Sequence, residues 1–374
     1  MTCSKLELTV VSLSAHAALP VQSDGKRVWE VGWMRKLALM VVVLAVCAVV
    51  AGSMLGATSG KAAGGPLSGK VIWEVDVVNA NPALTALAQA INVKIAAAGG
   101  TLVRSFAVNS AGQVDLSLQA QGFDRAIAAK PAAIIWLVID PKSMQPQVKK
   151  ATAAGIPVFA LIGKPQGSTV AAIENIKNYD QGFLLGKTLA KALKPGDEVS
   201  MIESFPTPNT IAEQAGAIKA MKQGGLKIVG DPSKQRNATD IASGAQPIMQ
   251  GLLARYPNLK GMFVYNDDSA IGAISAIRAA GKRGKIVVVS RNGEDPAIAA
   301  IKSGDLLATC DINPIELGED IGAAIVKHVS GKVKYKNNAV LPSPSAANCL
   351  VTKANVNRYK SWSKRIHYVK IAER

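Results

Sequence analysis

The sequence has few of the residues that carry out catalysis or hold metal ions. It contains three histidines and four cysteines, and no two cysteines stand in C-x-x-C spacing. No G-x-S-x-G, G-x-G-x-x-G, His-x-x-His or Glu-x-x-His motif occurs. A nucleophile with its base, a dinucleotide-binding loop and a zinc site therefore cannot be assembled from visible motifs. We predict a protein that is not an enzyme and that uses no cofactor and no metal.

Aromatic residues and acidic charge are also scarce. Aromatics make up 5% of the chain, and 43 Lys and Arg outnumber 26 Asp and Glu, which gives a formal net charge of +17. Such an excess favours anionic ligands or an anionic envelope surface. The basic segment 353–374 contains Tyr359, Trp362 and Tyr368, and basic segments with aromatics can bind nucleic acid. We favour a solvated end that packs its aromatics on the body, and we expect no nucleic-acid partner.

One long hydrophobic run lies near the N-terminus. Arg35 and Lys36 precede residues 37–60, which contain no charge and end in small residues. This is the pattern of an export signal, and Met34 is the start of translation that we expect. Residues 1–63 are thus predicted to be an upstream segment plus signal peptide, and the protein to be periplasmic or otherwise extracytoplasmic. The alternatives are an uncleaved membrane anchor and lipid attachment at Cys47.

The rest of the chain alternates between buried strands and helices. Apolar runs rich in β-branched residues, such as AIIWLVI at 133–139 and IVVV at 286–289, are followed by segments with helical periodicity that end at glycine. This alternation predicts parallel sheets with right-handed crossovers. Two successions of similar size, near 71–162 and 199–309, predict an α/β protein with two similar lobes.

Polar side chains follow the strands of the second succession, at the carboxyl ends. In an open parallel sheet this edge forms the ligand crevice. Helix capping is the alternative explanation, and we prefer it for Asp268 and Asp295. Capping does not require three such groups on one edge, so Asn266, Arg291 and Asn292 are the stronger ligand candidates. The full set at this edge is Asn266, Asp267, Arg291, Asn292, Glu294 and Asp311.

Two cysteines remain once residues 1–63 are set aside, namely Cys310 and Cys349. In an oxidising compartment such a pair can form a disulfide. The alternative is two buried thiols that act as small hydrophobic side chains. Both interpretations stay open at the level of the sequence.

Three segments together resemble a known family. They are AAGIPV at 153–158, YNDDSAIGA at 265–273 and the stretch 286–309. In combination they are similar to periplasmic binding proteins of the ribose-binding type, which are solute receptors of ABC sugar importers. The resemblance implies two Rossmann-like lobes that close on a ligand by hinge motion, joined by three crossings near 178–180, 311–313 and 340–345. The implied N-terminal lobe comprises 70–178 and 313–340, and the implied C-terminal lobe comprises 179–312 and 341–374.

The resemblance also implies ligand positions, several of which are substituted. Asn81 and Asn266 match ligand-binding asparagines of the family, and Asn292 replaces an aspartate. The other changes are Ala83 and Leu84 for aromatic residues, Ile162-Gly163 for an Asp-Arg pair, Glu213 for an arginine and Ile312 for a glutamine. Phe205 is a candidate for the missing aromatic face, whereas Trp73 and Trp136, in mid-strand, are predicted to be core residues. The predicted ligand-binding set is Asn79, Asn81, Phe205, Glu213, Asn266, Arg291, Asn292 and Asp311.

These observations predict an exported solute-binding protein that binds and releases its ligand without catalysing a reaction. It would capture a small polar solute, a sugar or a sugar-like molecule, between its lobes and deliver it to the membrane subunits of an ABC permease. We expect a monomer. The alternative is a periplasmic or membrane-anchored ligand sensor with the same fold, which an uncleaved anchor at 37–55 would favour.

Overall fold

The computed structural model of the protein describes residues 64–77, 81–174, 176–342 and 348–373. The predicted signal peptide, the alternative anchor and Asn79 lie outside the described residues. Within the described residues, every helix is too short or too polar to span a lipid bilayer.

Helices and strands alternate along the described chain, as the hydrophobic pattern predicts. The nine helices in this part of the protein are α1 Pro82–Ala97, α2 Leu116–Ala128, α3 Gln145–Ala153, α4 Asn178–Ala192, α5 Pro208–Gln223, α6 Ala242–Arg255, α7 Asp267–Ala279, α8 Asp295–Ser303 and α9 Pro314–Val329. The strands are β1 Val71–Val75, β2 Thr101–Ser105, β3 Ala133–Leu137, β4 Val158–Leu161, β5 Ala172–Ile173, β6 Glu198–Ile202, β7 Lys227–Ile228, β8 Leu259–Val264, β9 Val287–Asn292, β10 Ala308–Asp311, β11 Ala339–Val340, β12 Leu350–Thr352 and β13 Ala372–Glu373.

The strands form two separate sheets. The first has seven strands in the order β11-β5-β4-β3-β1-β2-β13, and the second has six in the order β12-β10-β9-β8-β6-β7. Every pairing between these strands is parallel except β10 with β12, which is antiparallel. The prediction of an α/β protein with two parallel-sheet lobes is confirmed.

Burial explains why the central strands are apolar on both faces. All five residues of β3 are buried, because helices cover both sides of the first sheet. Trp73 and Trp136 lie in the core on one side of that sheet. The Trp73 indole N–H donates to Ser105 Oγ over 3.1 Å, and Trp136 is fully buried. The prediction that both are core residues is confirmed.

Side-chain caps fix the helix starts that face the gap between the sheets. The Asn81 side chain accepts hydrogen bonds from the backbone N–H groups of Ala83 and Leu84 at the start of α1. The Asn266 side chain accepts from Ser269 N at the start of α7. Each cap satisfies backbone donors that the helix leaves free, so these two asparagines are held at the carboxyl edges of β1 and β8.

Close helix packing stiffens the second lobe. Helices α4 and α5 touch at Gly182, where an added Cβ would lie 2.0 Å from Glu213 O. No larger side chain fits there without moving the backbone. The contact holds the buried Glu213 side chain, on α5, beside α4.

The C-terminal segment departs from the predicted lobe boundaries. Strand β12 pairs with β10 in the second sheet, but β13 pairs with β2 in the first. The assignment of all of 341–374 to the C-terminal lobe is therefore wrong for its last residues. The chain passes between the sheets a fourth time, in addition to the three expected crossings. Trp362 marks the passage, because it is buried with Ala83, Ala86, Ala90 and Ile315 against the first lobe.

Candidate functional site

A cavity lies between the two sheets, at the carboxyl ends of their strands. It holds about 730 Å³, counting the part that is open to solvent. Both lobes line it, as expected of a crevice at this edge. Of the predicted ligand-binding residues, five lie in its wall: Asn81, Phe205, Asn266, Arg291 and Asn292. Their roles in ligand binding stay a prediction.

Asp240 is a residue of this site that the sequence reasoning missed. Its carboxylate accepts hydrogen bonds from Asn81 Nδ2 at 2.5 Å, from Ser204 Oγ at 3.0 Å and from the Tyr265 hydroxyl. The bond from Asn81 joins the first lobe to the second. Burial raises the pKa of Asp240 to about 6. In the sequence, Asp240 is one of several polar residues before a helix, and no motif distinguishes it. Its unusual backbone φ of +62° is visible only in the structure.

Arg291 is the buried cation of the site. Its Nη1 donates to Asn178 Oδ1 over 2.6 Å and lies 3.3 Å from Glu213 Oε2, while its Nε has no hydrogen-bond partner. Glu213 does not line the cavity but stands behind Arg291. Burial raises the pKa of Glu213 to about 7, although Arg291 acts in the opposite direction. Glu213 therefore orients the guanidinium of a residue that lines the cavity and whose Nε has no hydrogen-bond partner.

The turn after β9 is held by Asp267. Its carboxylate accepts from the hydroxyl groups of Ser290 and Thr309 and from the backbone N–H groups of Gly293 and Glu294. With all four donors directed at it, Asp267 is a structural residue and not a free ligand group.

Asn292 lies beside this turn with an unusual backbone. Its φ is +131°, a region that non-glycine residues adopt only where the surroundings enforce it, often at functional sites. Its Nδ2 donates to Glu294 Oε1 over 2.8 Å. The turn thus presents the Asn292 side chain in the cavity wall in one defined orientation.

Asp311 lies outside the cavity wall. Its carboxylate accepts from the Tyr359 hydroxyl at 2.7 Å, from Trp362 Nε1 at 3.2 Å and from Arg365 Nη2 at 2.7 Å. Arg365 also pairs with Glu316 of α9 at 3.0 Å. The structure therefore uses Asp311 to anchor the C-terminal segment where the chain returns to the first lobe.

Cys310 and Cys349 form a disulfide, with 4.7 Å between their Cα atoms. The bridge joins the end of β10 to the residue before β12, and both cysteines are buried. Within the residues that the structure describes, no group of His, Cys, Asp and Glu is arranged to hold a metal ion.

Several buried carboxyl groups should make stability fall as the pH rises. Burial raises the pKa of Glu174 to about 7 and that of Glu213 to about 7, whereas a glutamate in the unfolded chain has a pKa of about 4.3. The folded state therefore binds the proton of each glutamate more tightly than the unfolded chain does. The resulting contribution to stability is complete below the glutamate pKa of the unfolded chain, and it is lost as the pH rises through the glutamate pKa of the folded protein. We expect the free energy of unfolding to decrease from pH 5 to pH 8, by on the order of 3 kcal/mol per group.

Urea unfolding at pH 5, 6, 7 and 8 measures this slope. Glu174→Gln should flatten it, because Glu174 is 3% exposed and one of its carboxylate oxygens has no partner. Glu198→Gln is the matched control, since that side chain is partly exposed and paired with Lys227. An identical slope in Glu174→Gln and the unaltered protein would contradict the assignment.

Known sequences include proteins that are similar to this chain. A family model described as a periplasmic binding protein domain matches residues 70–333. A D-ribose/D-allose-binding protein of Pseudomonas aeruginosa is 34% identical over 209 residues, which are 53% of this chain and 63% of that protein. The match therefore spans less than two thirds of that relative. A D-apiose import binding protein of Paraburkholderia graminis is 30% identical over 258 residues, 67% of this chain and 78% of the relative.

Solved structures show the same fold. A solute-binding protein of an ABC transporter from Burkholderia multivorans is 28% identical and has a TM-score of 0.65, with 76% of this chain and 99% of that chain covered. One from Actinobacillus succinogenes with bound D-allose is 24% identical and has a TM-score of 0.66, covering 78% of this chain and all of that chain. The resemblance noted in the sequence is confirmed.

Proposed function

Because this chain belongs to the family of periplasmic binding protein domains, we propose that it is an exported solute receptor of an ABC importer. It captures one small polar molecule, a sugar or a sugar-like compound, in the cavity between its lobes. It then delivers this molecule unchanged to the membrane subunits of the permease. The protein acts as a monomer in the periplasm or another extracytoplasmic compartment.

The cavity shared by the two lobes is the observation that supports this most directly. The first lobe supplies Asn81 and the second supplies Asp240, Asn266, Arg291 and Asn292. The hydrogen bond between Asn81 and Asp240 joins the two walls, so a rotation that separates the lobes would break it. A ligand that touches both walls favours the closed form by its differential affinity, which is the thermodynamic basis of hinge closure.

A polyhydroxylated ligand suits the polar wall of this cavity. The buried Arg291 guanidinium can donate to a hydroxyl oxygen, and amide groups such as that of Asn292 can both donate and accept. The named relatives are a D-ribose/D-allose-binding protein and a D-apiose import binding protein, which supports a sugar as the class of ligand. The substitutions at Ala83, Leu84 and Ile312 argue against simple transfer of a relative's ligand to this chain.

A thermal-shift screen over sugars, polyols, amino acids and nucleosides tests the proposal. A ligand bound only by the folded state raises the melting temperature, and small-angle scattering should show a more compact bound form. In Leu84→Trp, an indole would occupy the cavity, and we expect affinity to fall about 100-fold, or ~2.7 kcal/mol.

Ile211→Trp is the matched control for the screen. Ile211 is 53% exposed on α5 and does not line the cavity, so its replacement should leave the affinity unchanged. Equal affinity of Leu84→Trp and Ile211→Trp would place the ligand elsewhere. A library in which no compound shifts the melting temperature or the scattering profile would refute the proposed function.

A further inference from the structure

We propose that the ligand has a hydrocarbon face. It is a deoxygenated sugar or cyclic polyol, in which a hydroxyl or hydroxymethyl group is replaced by hydrogen or methyl on the side that meets the first lobe. This inference rests on the proposed function and narrows the class of ligand for the same cavity.

The two walls of the cavity differ in chemistry. Among the described residues that line it, the first-lobe wall is aliphatic apart from Asn81. The side chains there are Val77, Leu84, Val114, Ile139, Ile162 and Ile176. Where the family has aromatic rings and an Asp-Arg pair, as the resemblance implies, this chain has Leu84 and Ile162. The first-lobe wall therefore presents hydrocarbon to the ligand.

Asn81 offsets this only in part, because most of its side-chain amide is already occupied. Its Oδ1 accepts from Ala83 N at 3.0 Å and from Leu84 N at 3.2 Å. Its Nδ2 donates to Asp240 over 2.5 Å. The second Nδ2 N–H can still donate to the ligand, but a ligand hydroxyl that donates to Oδ1 must compete with the cap of α1.

The polar groups belong to the second-lobe wall. Ser204, Asn209, Asp240, Asn266, Arg291 and Asn292 all line this side. Arg291 is 7% exposed, and its Nε has no hydrogen-bond partner. A ligand with acceptors on one side only can satisfy this wall while its other side contacts the aliphatic wall.

The energetics follow from the cost of an unpaired hydroxyl. A hydroxyl turned toward the first-lobe wall gives up its bonds to water and finds no replacement. A methyl group or hydrogen at the same position loses nothing and buries apolar area. Apolar pockets discriminate between such isosteres by about 10- to 100-fold, and we expect the same range here.

Calorimetry with matched sugar pairs tests the inference on the full-length mature protein. The pairs are D-galactose and D-fucose, L-mannose and L-rhamnose, D-glucose and 6-deoxy-D-glucose, and D-ribose and 2-deoxy-D-ribose. We expect the deoxygenated member of the best-bound pair to bind at least about 10-fold more tightly than its partner. A hydroxylated member that binds as tightly or more tightly would overturn the inference and leave the proposed function intact. If no member of any pair binds, the inference fails, and the broader solute screen then decides the proposed function separately.

A variant pair locates the effect on the first-lobe wall. Leu84→Asn places an amide in that wall and should bring the affinity ratio of the best-bound pair close to one. Leu118→Asn makes the same change at a half-buried residue of the same lobe that does not line the cavity, and it should keep the ratio. A ratio that is unchanged in Leu84→Asn would contradict the assignment, even if both variants lose some stability.

Discussion

Replacing Arg291 with methionine should abolish ligand binding and lower the free energy of unfolding by about 3 to 5 kcal/mol at pH 8. Arg291 is a buried cation that contacts Glu213 and Asn178. Removing it leaves the carboxylate of Glu213 without a compensating charge. It also removes a cationic side chain from the cavity wall.

The pH dependence of this variant follows from the same contact. Arg291 opposes the effect of burial on the pKa of Glu213, so its removal moves that pKa further upward. A buried carboxyl group with a raised pKa destabilises the folded protein only at pH values where the same group is ionised in the unfolded chain. The loss of stability should therefore be smaller at pH 5 than at pH 8, and urea unfolding at the two pH values measures the difference.

A double variant separates stability from binding. Arg291→Met with Glu213→Leu removes both charges, and an apolar pair of similar volume is often as stable as a buried ion pair. Stability should recover while binding does not. Arg255→Met is the control, because Arg255 is an exposed arginine that lies over the Tyr256 ring. Normal ligand affinity in Arg291→Met would show that the guanidinium does not contact the ligand.

Removing the disulfide should lower the free energy of unfolding by about 4 kcal/mol, which is the second large effect that the structure predicts. The bridge joins Cys310 and Cys349, which are 39 residues apart, and the loss of chain entropy in the unfolded state grows with the length of the closed loop. The enclosed segment contains α9 and β11. The variant Cys310→Ala with Cys349→Ala should unfold at a correspondingly lower denaturant concentration.

The reduced form of the unaltered protein is the internal control for that measurement. Its unfolding midpoint in the presence of dithiothreitol should match that of the double variant in the absence of reductant. The variant should be insensitive to reductant. Equal midpoints of the unaltered protein with and without reductant would mean that the bridge does not form in solution.

The hydrophobic pattern of short segments predicted the fold, because each strand and helix is encoded by neighbouring residues. Strand and helix periodicity are readable within about ten residues, and the capping sequences at Asn81 and Asn266 mark the edges where the cavity lies. Both asparagines cap a helix and also line the cavity. Each asparagine therefore combines a capping role with a place in the cavity wall.

The parts that the sequence did not reveal depend on contacts far apart along the chain. Asp240 gains its position from Asn81, which is 159 residues away. Strand β13 pairs with β2 across roughly 270 residues, and a two-residue strand has no periodicity to recognise. Asp311 follows a strand as a ligand residue would, but the tail residues Tyr359 and Arg365 fold back onto it.

The course of the C-terminal segment bears on how shortened versions of this protein should be designed for expression. The family match ends at residue 333, yet β11, β12, β13 and Cys349 all lie beyond that limit. Trimming the gene at that boundary would uncover both edges of the first sheet and one edge of the second, and it would leave Cys310 with an unpaired thiol. Uncovered edges promote association between chains, so a recombinant product intended for crystallisation should retain the chain through residue 373.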